Sequence, residues 1–421
     1  MVAKPDKYRW EHGAQLDDHS RRKHKILAEY FHQYLAVRCR IPQQAKFRLA
    51  VVDGFSGAGR YACGSPGSPL IFIEELGRAI DAINLHRVTQ GLGTIEVECL
   101  LICNDADKTV IDLLKSHAEP LVAAAREASP KLHLNVHYMT GTFAGSYPAI
   151  KALIAEGRYR NVIYNLDQFG HSSVDASTLT DIMRSTTSAE IFYTFAIEAL
   201  LAFLSKTDPV LLASQLKPLG VDASTLLADG TLSNSAWMGA AERLVFESFK
   251  GCATYVSPFS INNPGGWRYW LIHFANIYRA RQVYNDILHD NSSSQAHFGR
   301  SGLNMLSYDP GQAGSLYLFD PPGRAEARTE LLEDIPRLVS ETGDAIQVGA
   351  FYETIYNATA AHKDDIHGAM IDSEELEVLT PSGGVRRKAN AIDVGDTLRL
   401  KTQRSLFPMF LAHFNTTKSR P

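Results

Sequence analysis

The segment that most constrains the fold is Leu49–Tyr61, LAVVDGFSGAGRY. An apolar run, Leu49, Ala50, Val51 and Val52, ends in Asp53 and passes directly into Gly54, Gly57 and Gly59. This is the pattern of a buried parallel strand whose carboxyl end opens a tight loop, where a ligand reaches the backbone. Gly57 and Gly59 offer two positions without Cβ, so bare amides can approach a ligand and φ can turn positive. A P-loop would carry Lys directly after its last glycine, and a kinase-type loop would be followed by a Lys-bearing strand. Neither follows here. Asp53 before the glycines and Phe55 between them suit a nucleoside with a charged tail better than a pyrophosphate.

Three further segments extend the pattern: GSPGSPL at 64–70, GTF at 141–143 and NLDQFG at 165–170. DGFSGAG resembles motif I, D-x-F-x-G-x-G, of class I S-adenosylmethionine (SAM)-dependent methyltransferases. Together the segments resemble the three-Cys-motif partner proteins of bacteria and phages, over residues 20–300. The resemblance implies an α/β, Rossmann-like sheet and SAM as cofactor, held by Asp53, Phe55, Gly57 and Gly59. It also implies a neighbouring protein that carries the cysteine ligands.

At 421 residues the chain exceeds the size at which one core keeps growing, which favours two domains. The sequence divides into an arm at 1–19, a sheet domain at 20–300 with an insertion near 205–250, and a smaller α+β domain at 301–421. Hydrophobic content of 45% with 21% charged residues describes an ordinary globular chain. A formal net charge of −4 excludes coating of nucleic acid by bulk charge, so contact needs a local basic patch. Five scattered cysteines fit reduced thiols. Cys99 and Cys103 lie within the strand-like ECLLICN, too far apart for one metal, and no metal site is expected. The N-terminus has no apolar core after its charges, and the most apolar run is too short to span a bilayer. A cytoplasmic protein is the expectation.

Along the chain, a helix from Ser20 carries Ile26, Leu27, Tyr30, Phe31, Tyr34 and Leu35 on one face. Its basic start, Arg21 to Lys25, reads as a solvated turn or as a contact for phosphate. Ser68-Pro69 marks a helix start. The strand Ile95–Cys103 ends in Asn104-Asp105-Ala106-Asp107. In a Rossmann-like unit an acidic residue here accepts the ribose hydroxyls. Asp105 is the choice and Asp107 the alternate, with a merely capping Asp105 left open. The distance from Gly59 exceeds the minimal spacing of about 20 residues, so an insertion near Gly91–Gly93 is granted. After a third strand at 132–139, Thr142 stands where many methyltransferases place an acid against the adenine amino group.

A fourth strand, 161–166, ends in NLDQFG, which resembles the D-P-P-Y motif of amino-methylating enzymes. The resemblance assigns Asp167 as acceptor for an exocyclic amine and Phe169 as the face for a flipped base. Gln168 replaces the usual proline and predicts a looser loop. Carbon-5 methylation of cytosine needs a thiolate nucleophile, in that family a Cys after Pro, and the chain has no Pro-Cys pair. A base nitrogen of DNA or RNA is therefore the expected target. A fifth strand at 190–195 and an edge hairpin at 253–275 complete the sheet.

The last segment reads helix, helix, strand, strand, a winged-helix-like shape with Arg386, Arg387 and Lys388 at the wing tip, where phosphates are met. A solvated hairpin is the bland counterpart. Two other functions stay open: a catalytically altered SAM-fold protein acting with a partner, and a winged-helix DNA-binding regulator sensing a nucleotide.

Overall fold

The computed structural model describes residues 10, 13–168, 170–222, 224, 234–261, 269–291, 295–298, 303 and 316–401. Phe169 and the turn at 262–266 lie outside the described residues, as does most of the segment between 299 and 315.

The architecture is mixed α/β. Parallel strands β1 (Lys46–Asp53), β2 (Glu96–Asp105), β3 (Leu132–Thr140), β4 (Asn161–Leu166) and β5 (Ser188–Phe195) form the body of the sheet. They are joined by β6 (Tyr255–Ile261), β7 (Tyr269–Ala275), β8 (Gln295–Phe298) and β9 (Leu316–Leu318). The spatial order is β3-β2-β1-β4-β5-β7-β6-β8-β9. β7 runs antiparallel to both β5 and β6. The expected edge hairpin is thus interior, because β8 and β9 continue the sheet beyond it.

Both faces of the sheet are covered, which explains the near-continuous apolar runs of its central strands. Leu49 and Val51 point into one core with α1 (Asp18–Arg38), α2 (Ser68–Thr89), α3 (Lys108–Ala128) and, farther on, α9 (Tyr278–Asp290). Ala50 and Val52 point into the other, with α4 (Phe143–Glu156), α5 (Ala176–Ser185), α6 (Ile197–Phe203), α7 (Pro209–Leu216) and α8 (Asn234–Lys250). The period-two split of β1 between two cores fixes its register, since a slip of one residue would exchange the faces. From β1 the chain winds outward to β2 and β3, then returns to the other side for β4 and β5. Strand order therefore reverses between β1 and β4, and the crevice outside their carboxyl ends is where such sheets bind ligands.

Local chemistry sets the helix starts. Asp17 caps α1 by accepting from the Ser20 amide at 2.6 Å, a contact typically worth about 1 kcal/mol. In α2 the N-cap is Gly67, one residue before the expected Ser68, and Pro69 occupies the first turn. The Gly67 amide donates to Gly59 O at 2.6 Å, which pulls the helix start against the glycine loop.

The last part comprises α10 (Pro321–Glu341), β10 (Ala345–Gln347), α11 (Val348–Ile355), α12 (Lys363–Asp372), β11 (Leu376–Leu379) and β12 (Thr397–Leu400). Its antiparallel sheet is ordered β10-β12-β11. It is docked on α9: the fully buried Arg281 donates to Tyr356 O at 3.1 Å and Thr359 O at 3.3 Å. Gln282 donates to the Tyr356 hydroxyl at 2.6 Å. Apolar side chains from α10–α12 join the same core cluster as α1 and α9.

Candidate functional site

Asp53, Asp105 and Asp167 end or follow β1, β2 and β4, so the fold gathers three carboxylates at the strand ends. Gly57, at φ +58°, donates its amide to Asp105 Oδ2 at 3.1 Å. The two turns thus meet, as the sequence reading requires. Asp107 instead caps α3, accepting from the Thr109 amide at 2.8 Å, which separates the two candidate acids. Burial outweighs the amides donated to Asp105 and lifts its pKa.

Asn104 binds the loops together, a role its sequence position did not suggest. Its Nδ2 donates to Gly54 O at 3.1 Å and to Gly141 O at 3.0 Å, while its backbone carbonyl accepts from the Ser56 amide at 2.9 Å. The turns after β1, β2 and β3 are thereby held as one surface. Beneath it Asp53 is fully buried. Burial pushes its pKa up to about 7, against the opposing pull of the nearby Ser68 hydroxyl and Asn165 amide. Neither group makes a well-formed bond to Asp53 Oδ2, which is buried without a partner, as are Ser56 Oγ and Asn104 Oδ1. Over the loop lies Trp10: a Cβ built on Gly57 would stand 2.5 Å from its ring.

Asp167 meets α1. Lys23 Nζ donates to both carboxylate oxygens, at 2.5 and 2.7 Å, with side-chain exposures of 8% for Lys23 and 28% for Asp167. Burial raises the Asp167 pKa, but the ammonium overrides it and holds the carboxyl below the usual range. The basic start of α1 is therefore not wholly solvated, because Lys23 and His19 on one face turn inward. His19 stacks on Tyr269 with centroids 4.2 Å apart, and its Nδ1 lies 3.3 Å from Asp17 Oδ1. Its Nε2 is buried and without a partner. Burial and then the Lys23 charge lower its pKa; the same two causes take His24 to about 4. Beside them is a cavity of about 10 Å³ for the centre of a water-sized sphere, bounded by Lys23, His24, Asn165, Asp167 and Thr194. That is room for one water. A roomier hollow of about 480 Å³ lies between α5 and α8. Its carboxylate, Asp181, is already engaged by Lys151 and Tyr147, so chemistry rather than volume selects the strand ends.

Several expectations change. Gln168 does not loosen the loop after β4: it is buried, donates to the Tyr193 hydroxyl at 2.6 Å, and accepts from the Ser173 and Val174 amides at 2.9 and 3.2 Å. Thr142 caps α4 by accepting from the Gly145 amide at 3.2 Å, so one of its two lone pairs is already engaged locally. Phe55 is half-buried against Phe143 at 5.9 Å. Arg386 is not a free wing cation; it forks onto the buried Asp396 at 2.9 and 3.1 Å. Arg387 and Lys388 are exposed. Among the described residues no group of three or more His, Cys, Asp or Glu could hold a metal, and no helix is long and apolar enough to cross a membrane. The chain matches no family model and no curated protein.

Proposed function

We propose that this protein is a SAM-dependent methyltransferase-like protein acting on nucleic acid, with SAM across the carboxyl ends of β1 and β2. The observation that carries the reading is the strand order. The first five strands follow the doubly wound order with its switch point between β1 and β4. The antiparallel β7 set between β5 and β6 is what a class I methyltransferase sheet adds to a Rossmann-like one.

The residues fit the cofactor. Orphaned acceptors under the loop, Asp53 Oδ2, Ser56 Oγ and Asn104 Oδ1, suit a ligand bearing an ammonium group, and Asp105 stands where sugar hydroxyls would be gripped. Bound there, SAM supplies an electrophilic methyl group on a sulfonium. Entry requires the Trp10 indole to move off Gly57. Calorimetry with SAM and S-adenosylhomocysteine tests this: micromolar binding is expected, with at least tenfold weakening in Asp105→Ala. Absence of binding below millimolar concentration refutes it.

For nucleic acid, the support is the winged-helix-like succession of α10, β10, α11, α12, β11 and β12 with its exposed Arg387 and Lys388. The N-terminal end of α12 is engaged, since the Lys363 amide donates to Asp286 of α9 at 3.1 Å and Asp365 is held by Arg324 and Arg328. The hairpin, not this helix, is the phosphate contact. A second reading, a catalytically altered protein that works beside a three-Cys-motif partner, is favoured by one observation: Lys23 occupies both oxygens of Asp167. The same contact weighs against the base-amine target. Methyl transfer that survives Asp167→Ala unchanged would remove Asp167 from the chemistry.

A further inference from the structure

Resting on the methyltransferase reading, we propose that the acceptor at Asp167 is a sugar hydroxyl of RNA, with His19 as general base and the Lys23–Asp167 pair stabilising the oxygen as it gains charge. An amine acceptor needs lone pairs to hold its hydrogens, and Lys23 already takes one on each Asp167 oxygen, which leaves an amine to compete with an ammonium for the rest. As its nitrogen is methylated it also gains positive charge, which a neighbouring ammonium opposes. A hydroxyl has the opposite needs. Its proton must leave, and its oxygen gains negative charge, which the ammonium favours.

The base is at hand. His19 lies one turn before Lys23 on α1, so the two share a face. Asp17 takes the Nδ1 side of the ring, the Tyr269 stack fixes its plane, and Nε2 is left buried without a partner. A base oriented by a carboxylate with its other nitrogen uncommitted is the arrangement that activates hydroxyl nucleophiles once the substrate displaces what covers that nitrogen. Low exposure keeps the ring neutral at physiological pH. The acceptor oxygen forms the new O–C bond as its proton passes to His19 Nε2. The S–C bond of the sulfonium donor breaks with its electron pair left on sulfur, giving a neutral thioether, and the imidazolium returns its proton to water.

The test uses the full chain with SAM and three oligonucleotides of one sequence: RNA, RNA with every 2′-hydroxyl already methylated, and DNA. Products are digested to nucleosides and identified by mass spectrometry. Ribose-methylated nucleosides are expected from RNA alone, and His19→Gln should slow their formation roughly 100-fold or more with SAM affinity by calorimetry unchanged. Base methylation of DNA or of the blocked RNA overturns the proposal, as does a fully active His19→Gln. If SAM binds and no oligonucleotide is methylated, the acceptor assignment falls and the cofactor reading stands. If SAM does not bind, that earlier reading falls as well. Without any turnover, ¹⁵N spectra of the cofactor-free protein should show His19 protonated on Nδ1 at neutral pH. A proton on Nε2 would rule it out as the base.

Discussion

Asp53 gives the sharpest test of how the strand-end surface is built. Its carboxyl is fully buried at the end of β1, and burial raises its pKa from 3.8 to about 7. In the unfolded chain it ionises near its ordinary value. The folded state therefore holds the proton more tightly, and the stability this contributes is fully present below the unfolded pKa and is lost as pH rises through the folded one. At about 1.4 kcal/mol per pH unit the loss totals roughly 4 kcal/mol, of which roughly 2 kcal/mol falls between pH 5 and pH 7. Asp53→Asn keeps the shape and removes the titration. Urea unfolding of both proteins between pH 4 and pH 8 isolates this carboxyl from every other group, because the rest titrate alike and cancel in the difference. The variant's advantage should grow by about that amount up to pH 7 and then level off. A flat difference, or one that shrinks with pH, would refute the burial argument. The same carboxyl should behave oppositely toward a cationic ligand: SAM affinity should rise with pH through 7 in the wild type and lose that dependence in Asp53→Asn.

Three further variants test neighbouring parts of the surface and the hairpin. Gln168→Ala should cost roughly 1–3 kcal/mol in denaturant unfolding by stranding the Ser173 and Val174 amides; a neutral result would mean the loop after β4 is held by something else. Arg387→Glu with Lys388→Glu should weaken RNA binding and flatten its salt dependence by up to about two phosphate contacts without lowering stability, whereas Arg386→Ala should destabilise the hairpin by uncovering Asp396. Equal effects on binding from all three positions would reverse that division of labour.

Much of the sheet is legible in the sequence because its strands are buried on both faces and so spell unbroken apolar runs, as LAVV does in β1 and VIY in β4. Shorter elements escape this signal. β10 spans Ala345–Gln347, too few residues for any period to register. α5 announces itself only by Asp175, which caps it, and by Leu179, Ile182 and Met183 on one face. The site divides the same way. The meeting of Asp105 and Gly57 is legible, since one ends β2 and the other follows β1 in a known pattern. Lys23 is not: its partner lies 144 residues away, and a lysine in a run of basic residues at a helix start looks solvated until the tertiary fold turns it inward. Gln168 misleads for a related reason. The sequence shows the proline that is missing but not the three hydrogen bonds that replace it.

One consequence joins the two halves of the strand-end surface. Trp10 rests on Gly57, the Ala62 amide donates to Ala14 O at 2.9 Å, Asp17 caps α1, and Lys23 closes on Asp167. A single N-terminal stretch thus covers the glycine loop at one end and grips Asp167 at the other. A ligand over Gly57 must displace the indole, and displacement loosens the chain that positions His19 and Lys23 one or two helical turns later. The reverse holds for a ligand that draws Lys23 away from Asp167. Since each ligand would offset part of the disruption the other must cause, their binding is positively coupled, and thermodynamic linkage makes the coupling equal in both directions. RNA should therefore tighten SAM binding by the same factor as SAM tightens RNA binding. Trp10→Ala should shrink that factor toward one while raising the affinity for SAM alone. An unchanged factor in that variant would show that the arm and the helix respond independently.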